Sequence, residues 1–152
     1  MKSVPLEFVE LSKALRLLPG IKQSRVSPRQ LFKAYLRKMT FILRDAKGIY
    51  AFGALWSTGS RKWLEIGTVW VRKDHEKQGK SSEIITTLDK RAKKLERSTF
   101  LSCSSENKQM RGTMVGMDYK TCKDPRRSPL KKVWGKSRDA TNRSIFYFQY
   151  TP

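Results

Sequence analysis

The sequence predicts a single α/β domain: a mixed, twisted sheet covered by helices on both faces. Three observations carry that expectation. Residues 39–71 hold three strand-like runs joined by short turns, which reads as an antiparallel meander. The third run feeds a polar loop and then a strongly periodic helix. A β-branched and aromatic run follows that helix, so it should return parallel to the third strand through a crossover.

Each element has its own signal. Leu6, Val9, Leu11, Leu15 and Leu18 suit an irregularly amphipathic helix over residues 5–18, ended by Pro19-Gly20. A second helix is expected over residues 27–38, with Ser27 as N-cap and Pro28 at the first helical position. Leu31, Tyr35 and the stem of Lys38 would share one face. Strands follow at 39–45 and 48–56 around Asp45-Ala46-Lys47-Gly48, and at 62–71 with a bulge at Gly67. After Gly79, Ile84, Ile85, Leu88, Ala92 and Leu95 recur at helical spacing. A strand at 99–104 and a helix at 106–116 come next, and residues 143–152 close the chain as a strand. Between them, residues 119–143 hold nine basic and two acidic side chains, with Asp124-Pro125 and Ser128-Pro129 as breakers. This reads as a long exposed basic loop on a domain spanning residues 1–152.

Charge narrows the function classes. The 152 residues carry 33 Lys and Arg against 13 Asp and Glu, a net charge of +20. Such a field attracts polyanions and releases their counterions, so the expected partner is nucleic acid, DNA before RNA. Lys123, Arg126, Arg127, Lys131, Lys132, Lys136 and Arg138 would hold phosphates, and Trp134 among them would stack on a base. No run reaches membrane-spanning length, and residues 1–13 lack an apolar signal core. Cys103, Cys122 and the single His75 lack metal-ligand spacing. The expectation is a soluble cytoplasmic protein without a metal or a membrane partner.

The most informative stretch is a strand ending at Val71, a polar loop, and a helix opening on Gly79-Lys80-Ser81-Ser82. Free N–H groups at such a helix start make an anion site and suggest a ligand that carries phosphates. Gly79-Lys80-Ser81 is not a Walker A loop, because Asp74 stands where that motif needs its first glycine. His75 lies between Asp74 and Glu76 and reads as a solvated side chain. Ser102, Ser104 and Ser105 end a strand without a nearby histidine, so a serine triad is not supported.

The order of elements, with the loop Glu76-Lys77-Gln78-Gly79-Lys80-Ser81, resembles the GNAT acyltransferase superfamily over residues 5–120. The family's loop reads Q/R-x-x-G-x-G/A; here Glu76 and Ser81 depart from it and Gly79 matches. The resemblance implies acetyl-coenzyme A or a related thioester as donor. It would lie along Val69 and Val71, on the amides of Gln78, Gly79, Lys80, Ser81 and Ser82, with Asn107 beyond. Met114 stands near the position of the family's acidic tyrosine. For acyl transfer to an amine, Glu65 in the central strand would act as base. Tyr119 would replace the missing acid, as would Tyr147 or Tyr150, and Ser104 would orient the acceptor. A further likeness over residues 65–119, carried by Ser102-Cys103-Ser104 and Arg111-Gly112-Thr113, is to phage Mom-type proteins. Those proteins resemble acyltransferases in fold and modify adenine in DNA. The expected function is therefore acyl transfer to nucleic acid or a nucleic-acid-bound amine. The alternatives are Mom-like base modification and a non-catalytic nucleic-acid binder of the same fold.

Overall fold

The computed structural model describes residues 27–135 and 138–152, together with Val9 and Lys13. Apart from those two positions, the helix expected at 5–18 lies outside the described residues, as does Lys136. The elements are α1 (Pro28–Leu36), β1 (Thr40–Asp45), β2 (Gly48–Ser57), β3 (Trp63–Val71), α2 (Lys80–Lys94), β4 (Ser98–Ser104), α3 (Lys108–Gly116), β5 (Lys120–Cys122) and β6 (Arg143–Phe148). Short 3₁₀ turns span Lys73–His75 and Pro125–Arg127.

Local chemistry fixes the first helix. Ser27 Oγ accepts from the Gln30 N–H at 3.2 Å, and Gln30 Oε1 accepts from the Ser27 N–H at 2.8 Å. This reciprocal capping box satisfies two of the helix's unpaired donors. The helix stops at Leu36, short of the expected 38, because Lys38 turns to a positive φ of 58°.

Six strands form one sheet in the order β1-β2-β3-β4-β6-β5. All neighbours are antiparallel except β3 and β4, the parallel pair expected from the crossover. That pair holds for only three residues, Trp63–Ser98, Leu64–Thr99 and Glu65–Phe100. Beyond Glu65 both strands continue unpaired to each other, so the sheet opens there. The register of β2 and β3 slips between Phe52 and Ala54, opposite Gly67–Trp70. Thr68 takes a φ of +50° at that bulge.

Side-chain alternation divides the sheet into two faces. On one, Leu55, Leu64, Ile66 and Leu101 pack against Ile84, Ile85, Leu88 and Ala92 of α2 and Met114 of α3. On the other, α1 sets Leu31 against Ile49 and Phe52. The rest of that second face holds Trp63, Phe100 and Ile145 under Cys122, Leu130 and Trp134. This last cluster corrects the expectation of an exposed loop at 119–143. The segment includes β5, which pairs with β6, and it alternates exposed cations with buried Cys122, Pro125, Leu130 and Trp134. A basic outer surface is thus pinned to the sheet by an apolar underside.

Gly53 lets α2 approach the sheet. A Cβ there would stand 2.5 Å from Ile84 Cγ2 and 3.1 Å from Leu88 Cδ1. Gly53→Ala should therefore destabilise the fold by about 1–3 kcal/mol through overpacking. Gly112 lies in α3 with open space around its α-carbon. Gly112→Ala should stabilise by about 0.5–1 kcal/mol, since alanine loses less backbone entropy in a helix. Urea unfolding of both variants measures the contrast; a neutral Gly53→Ala would show that the contact is slack.

Candidate active site

The opening of the sheet puts two half-sites on opposite faces. The first is the start of α2. Its N-cap, Gly79, adopts φ +73° and offers no side chain to the helix. The first helical bond at this end runs from the Glu83 N–H to the Gly79 carbonyl, at 3.1 Å. The N–H groups of Lys80, Ser81 and Ser82 have no acceptor among the described residues. They open into a groove of about 210 Å³ lined by Val71, His75, Lys77, Gly79, Lys80 and Ser81. A smaller recess of about 40 Å³ continues it between α2 and α3, past Ser81, Ser82, Asn107, Met110 and Thr113. Uncapped donors, a left-handed residue without a side chain and an elongated groove fit a diphosphate with an organic arm on either side. The Glu76 carboxylate also lines the groove and opposes an anion; Lys77 and Lys80 offset it.

The second half-site surrounds Glu65, where β3 and β4 part. Glu65 shares the face of Trp63 and Phe100, between the α1 patch and the basic segment. Arg138 reaches it from that segment and donates Nη2 to Oε1 at 2.5 Å and Nη1 to Oε2 at 3.1 Å. The guanidinium lies 4.2 Å from the ring centroid of Trp134, whose Nε1–H donates to the Arg138 carbonyl at 3.2 Å. Arg138 Nη2 also approaches Ser102 Oγ at 3.4 Å, and Arg143 Nη2 donates to the same oxygen at 2.9 Å. A carboxylate at this point can take a proton from an amine, provided that the arginine yields its place.

The loop between the half-sites is clamped. Arg72 bonds Asp45 and reaches Asp74 at 2.6 Å, and His75 Nε2 lies 2.8 Å from Asp45 Oδ2. The His75 ring stacks on Tyr50 with centroids 3.8 Å apart. The solvated histidine of the sequence reading is therefore corrected to a half-buried, partnered one. Asp45, Asp74 and His75 lie close enough to share a cation, and Arg72 already fills that role.

Several expected residues lie elsewhere. Tyr119 is buried in the core, its hydroxyl donating to Asp89 Oδ1 at 2.7 Å and lying 2.5 Å from Thr99 Oγ1. Burial and the neighbouring Asp89 push its pKa far up, and its place in the core on the α2 face keeps the hydroxyl away from Glu65. Val69 packs into the core on the α2 face, whereas Val71 reaches the groove. Ser104 is exposed at the end of β4, its Oγ accepting from the Glu106 N–H at 3.4 Å. Gln78 is exposed, and Asn107 caps α3 through the Met110 N–H at 3.0 Å. Trp134 is 4% exposed, so its ring is a floor for Arg138 and no base can stack on it. Lys123, Arg126, Arg127, Lys131 and Lys132 are exposed as expected. Ser102 and Arg143 join the site at Glu65; both were visible only as a strand-end serine and one cation among many.

Hydrogen bonding to His75, and then to Arg72, holds the Asp45 carboxyl far below its ordinary 3.8. A depressed carboxyl stabilises the fold above its unfolded pKa, and that contribution is lost as pH falls through the folded value. Asp45→Asn should therefore melt below the wild type at neutral pH, with the gap closing as pH drops below about 4. Thermal melts across pH test this; a gap that stays constant into acid would exclude Asp45 as the source.

Residues 12–115 match the model of the acetyltransferase (GNAT) family. Among curated proteins none matches the sequence. Solved structures share the fold at low identity. Ard1 from Thermoplasma volcanium superposes at TM-score 0.64 with 9% identity, covering 100% of this chain and 97% of that one. The ribosomal-protein-S18-alanine N-acetyltransferase of Escherichia coli gives 0.65 and 11%, with coverages of 99% and 93%. N-acetylglutamate synthase from Neisseria gonorrhoeae, solved with coenzyme A and N-acetyl-glutamate, gives 0.69 and 14%, covering 100% of this chain and 35% of that one. With two-thirds of its length matching the family and the uncapped helix start in place, the chain belongs to the GNAT acetyltransferases.

Proposed function

We propose that this chain transfers an acyl group from a coenzyme A thioester to an amine on nucleic acid or on a molecule held by nucleic acid. The single observation behind the acceptor is the basic segment: Lys123, Arg126, Arg127, Lys131 and Lys132 stay exposed on the layer that borders Glu65. The net charge of +20 agrees with it. Bound coenzyme A supplies the activated acyl group. The chain's own work is to hold the diphosphate on the amides of Lys80 to Ser82 and to leave Glu65 on the far face to take the amine proton.

Calorimetry with acetyl-coenzyme A tests the donor half. Gly79→Val forces a β-branched residue toward φ +73° and should weaken binding about tenfold, given about 1–3 kcal/mol of backbone strain. Unchanged affinity would remove the helix start from the donor site. The paired reversals Arg126→Glu and Arg127→Glu should abolish retention on duplex DNA at low salt while coenzyme A affinity holds. Glu65→Gln should lower turnover about a hundredfold without changing donor affinity.

A second reading rests on Tyr119, the first of the tyrosines expected as acid, whose burial keeps it from Glu65. A binder that has lost its chemistry would be indifferent to Glu65→Gln in cells and sensitive to the charge reversals. Mass spectrometry of nucleosides from expressing cells separates the rest: modified adenine points to Mom-like chemistry, and acylated protein or aminoacyl-tRNA to ordinary transfer.

A further inference from the structure

Two guanidinia converge on one hydroxyl beside Glu65, and only one of them is neutralised. Arg143 Nη2 stands 2.9 Å and Arg138 Nη2 3.4 Å from Ser102 Oγ. Arg138 is paired with Glu65, whereas Arg143 makes no ion pair among the described residues. Two cations against one carboxylate leave a local positive charge at the opening of the sheet. Ser102 Oγ accepts from both arginines, and its own O–H donates to nothing among the described residues. The hydroxyl proton and the outer N–H groups of Arg143 are therefore left for an anion. Arg143 is exposed at the first position of β6, opposite Ser104, so an incoming group reaches it without displacing core.

We propose that Arg138, Ser102 and Arg143 form a clamp for one phosphate group of the acceptor, placed so that the acceptor's amine comes to Glu65. The proposal rests on the acyltransferase reading above and deepens it. A guanidinium fork matches phosphate geometry, and a hydroxyl donor beside it completes the recognition. Arg126, Lys131 and Lys132, exposed along the adjoining segment, extend the clamp into a track that suits a phosphodiester chain better than an isolated carboxylate. Arg138 is shared: a phosphate that engages it competes with Glu65 for the same donors. Arrival of the acceptor would thus release the carboxylate as it becomes needed.

The test is fluorescence anisotropy of a short labelled single-stranded oligonucleotide with wild type, Arg143→Gln, Ser102→Ala, Glu65→Gln and Arg138→Lys. Lys94→Gln, exposed at the far end of α2, controls for bulk charge. Arg143→Gln should weaken binding about fivefold and Lys94→Gln less than about twofold. Glu65→Gln should tighten binding in the wild-type background and lose that effect in Arg138→Lys, which keeps the charge and lacks the fork. Melting curves establish that each variant folds. Competition by inorganic phosphate is the second arm. Displacement of the oligonucleotide that weakens in Arg143→Gln supports a clamp for any phosphate; coupling seen with the oligonucleotide alone supports one for a phosphodiester. Oligonucleotide binding that treats Arg143→Gln and Lys94→Gln alike overturns the clamp and leaves the nucleic-acid reading standing. No oligonucleotide binding at low salt overturns that reading, and phosphate binding to wild type against Arg143→Gln, by calorimetry, then decides the clamp.

Discussion

The parallel pairing of β3 with β4 lasts three residues and then stops, and the rest of the molecule depends on that interruption. A parallel pair joined by a crossover helix commits α2 to one face of the sheet. Had the ladder run on past Glu65, the sheet would be closed and its two faces separate. Because it parts there, the helix start on one face and the carboxylate on the other belong to the same opening. The uncapped N–H groups of Lys80, Ser81 and Ser82 are tolerable for the same reason. They face a groove, where water or a ligand satisfies them, and not packed protein.

Contacts anchor the opening on both sides. The Asp45–His75–Arg72 cluster ties the loop before α2 back to the β1–β2 turn. Ser82 Oγ and Thr113 Oγ1, 3.0 Å apart, tie the start of α2 to α3. On the Glu65 face, Trp134 and Leu130 sit on Phe100 and carry Arg138 to Glu65. The basic segment therefore has two functions that its composition alone would not suggest. Its underside closes a hydrophobic core, and its upper side places an arginine on Glu65.

Local signals in the sequence were legible where the physics is local. Ser27-Pro28 with Gln30 predicts its own cap, and the spacing of Ile84, Ile85, Leu88 and Ala92 predicts a helix buried along one stripe. Gly79 after a strand predicts the turn into α2, where it takes φ +73° as N-cap. What stayed hidden depends on partners distant in the chain. Tyr119 reads as a possible acid until Asp89, thirty residues away, is found to hold its hydroxyl. Glu65 meets Arg138 across a separation of 73 residues. The underside of the 119–143 segment was hidden because Cys122, Pro125, Leu130 and Trp134 follow neither a helical nor a strand period.

The central claim is that the open start of α2 binds the donor's diphosphate. Hydrogen–deuterium exchange with and without acetyl-coenzyme A tests it at the amides concerned. The expected result is slowed exchange at Lys80, Ser81 and Ser82, which have no acceptor among the described residues. Binding that leaves these three amides unprotected, or no binding at all, would contradict it.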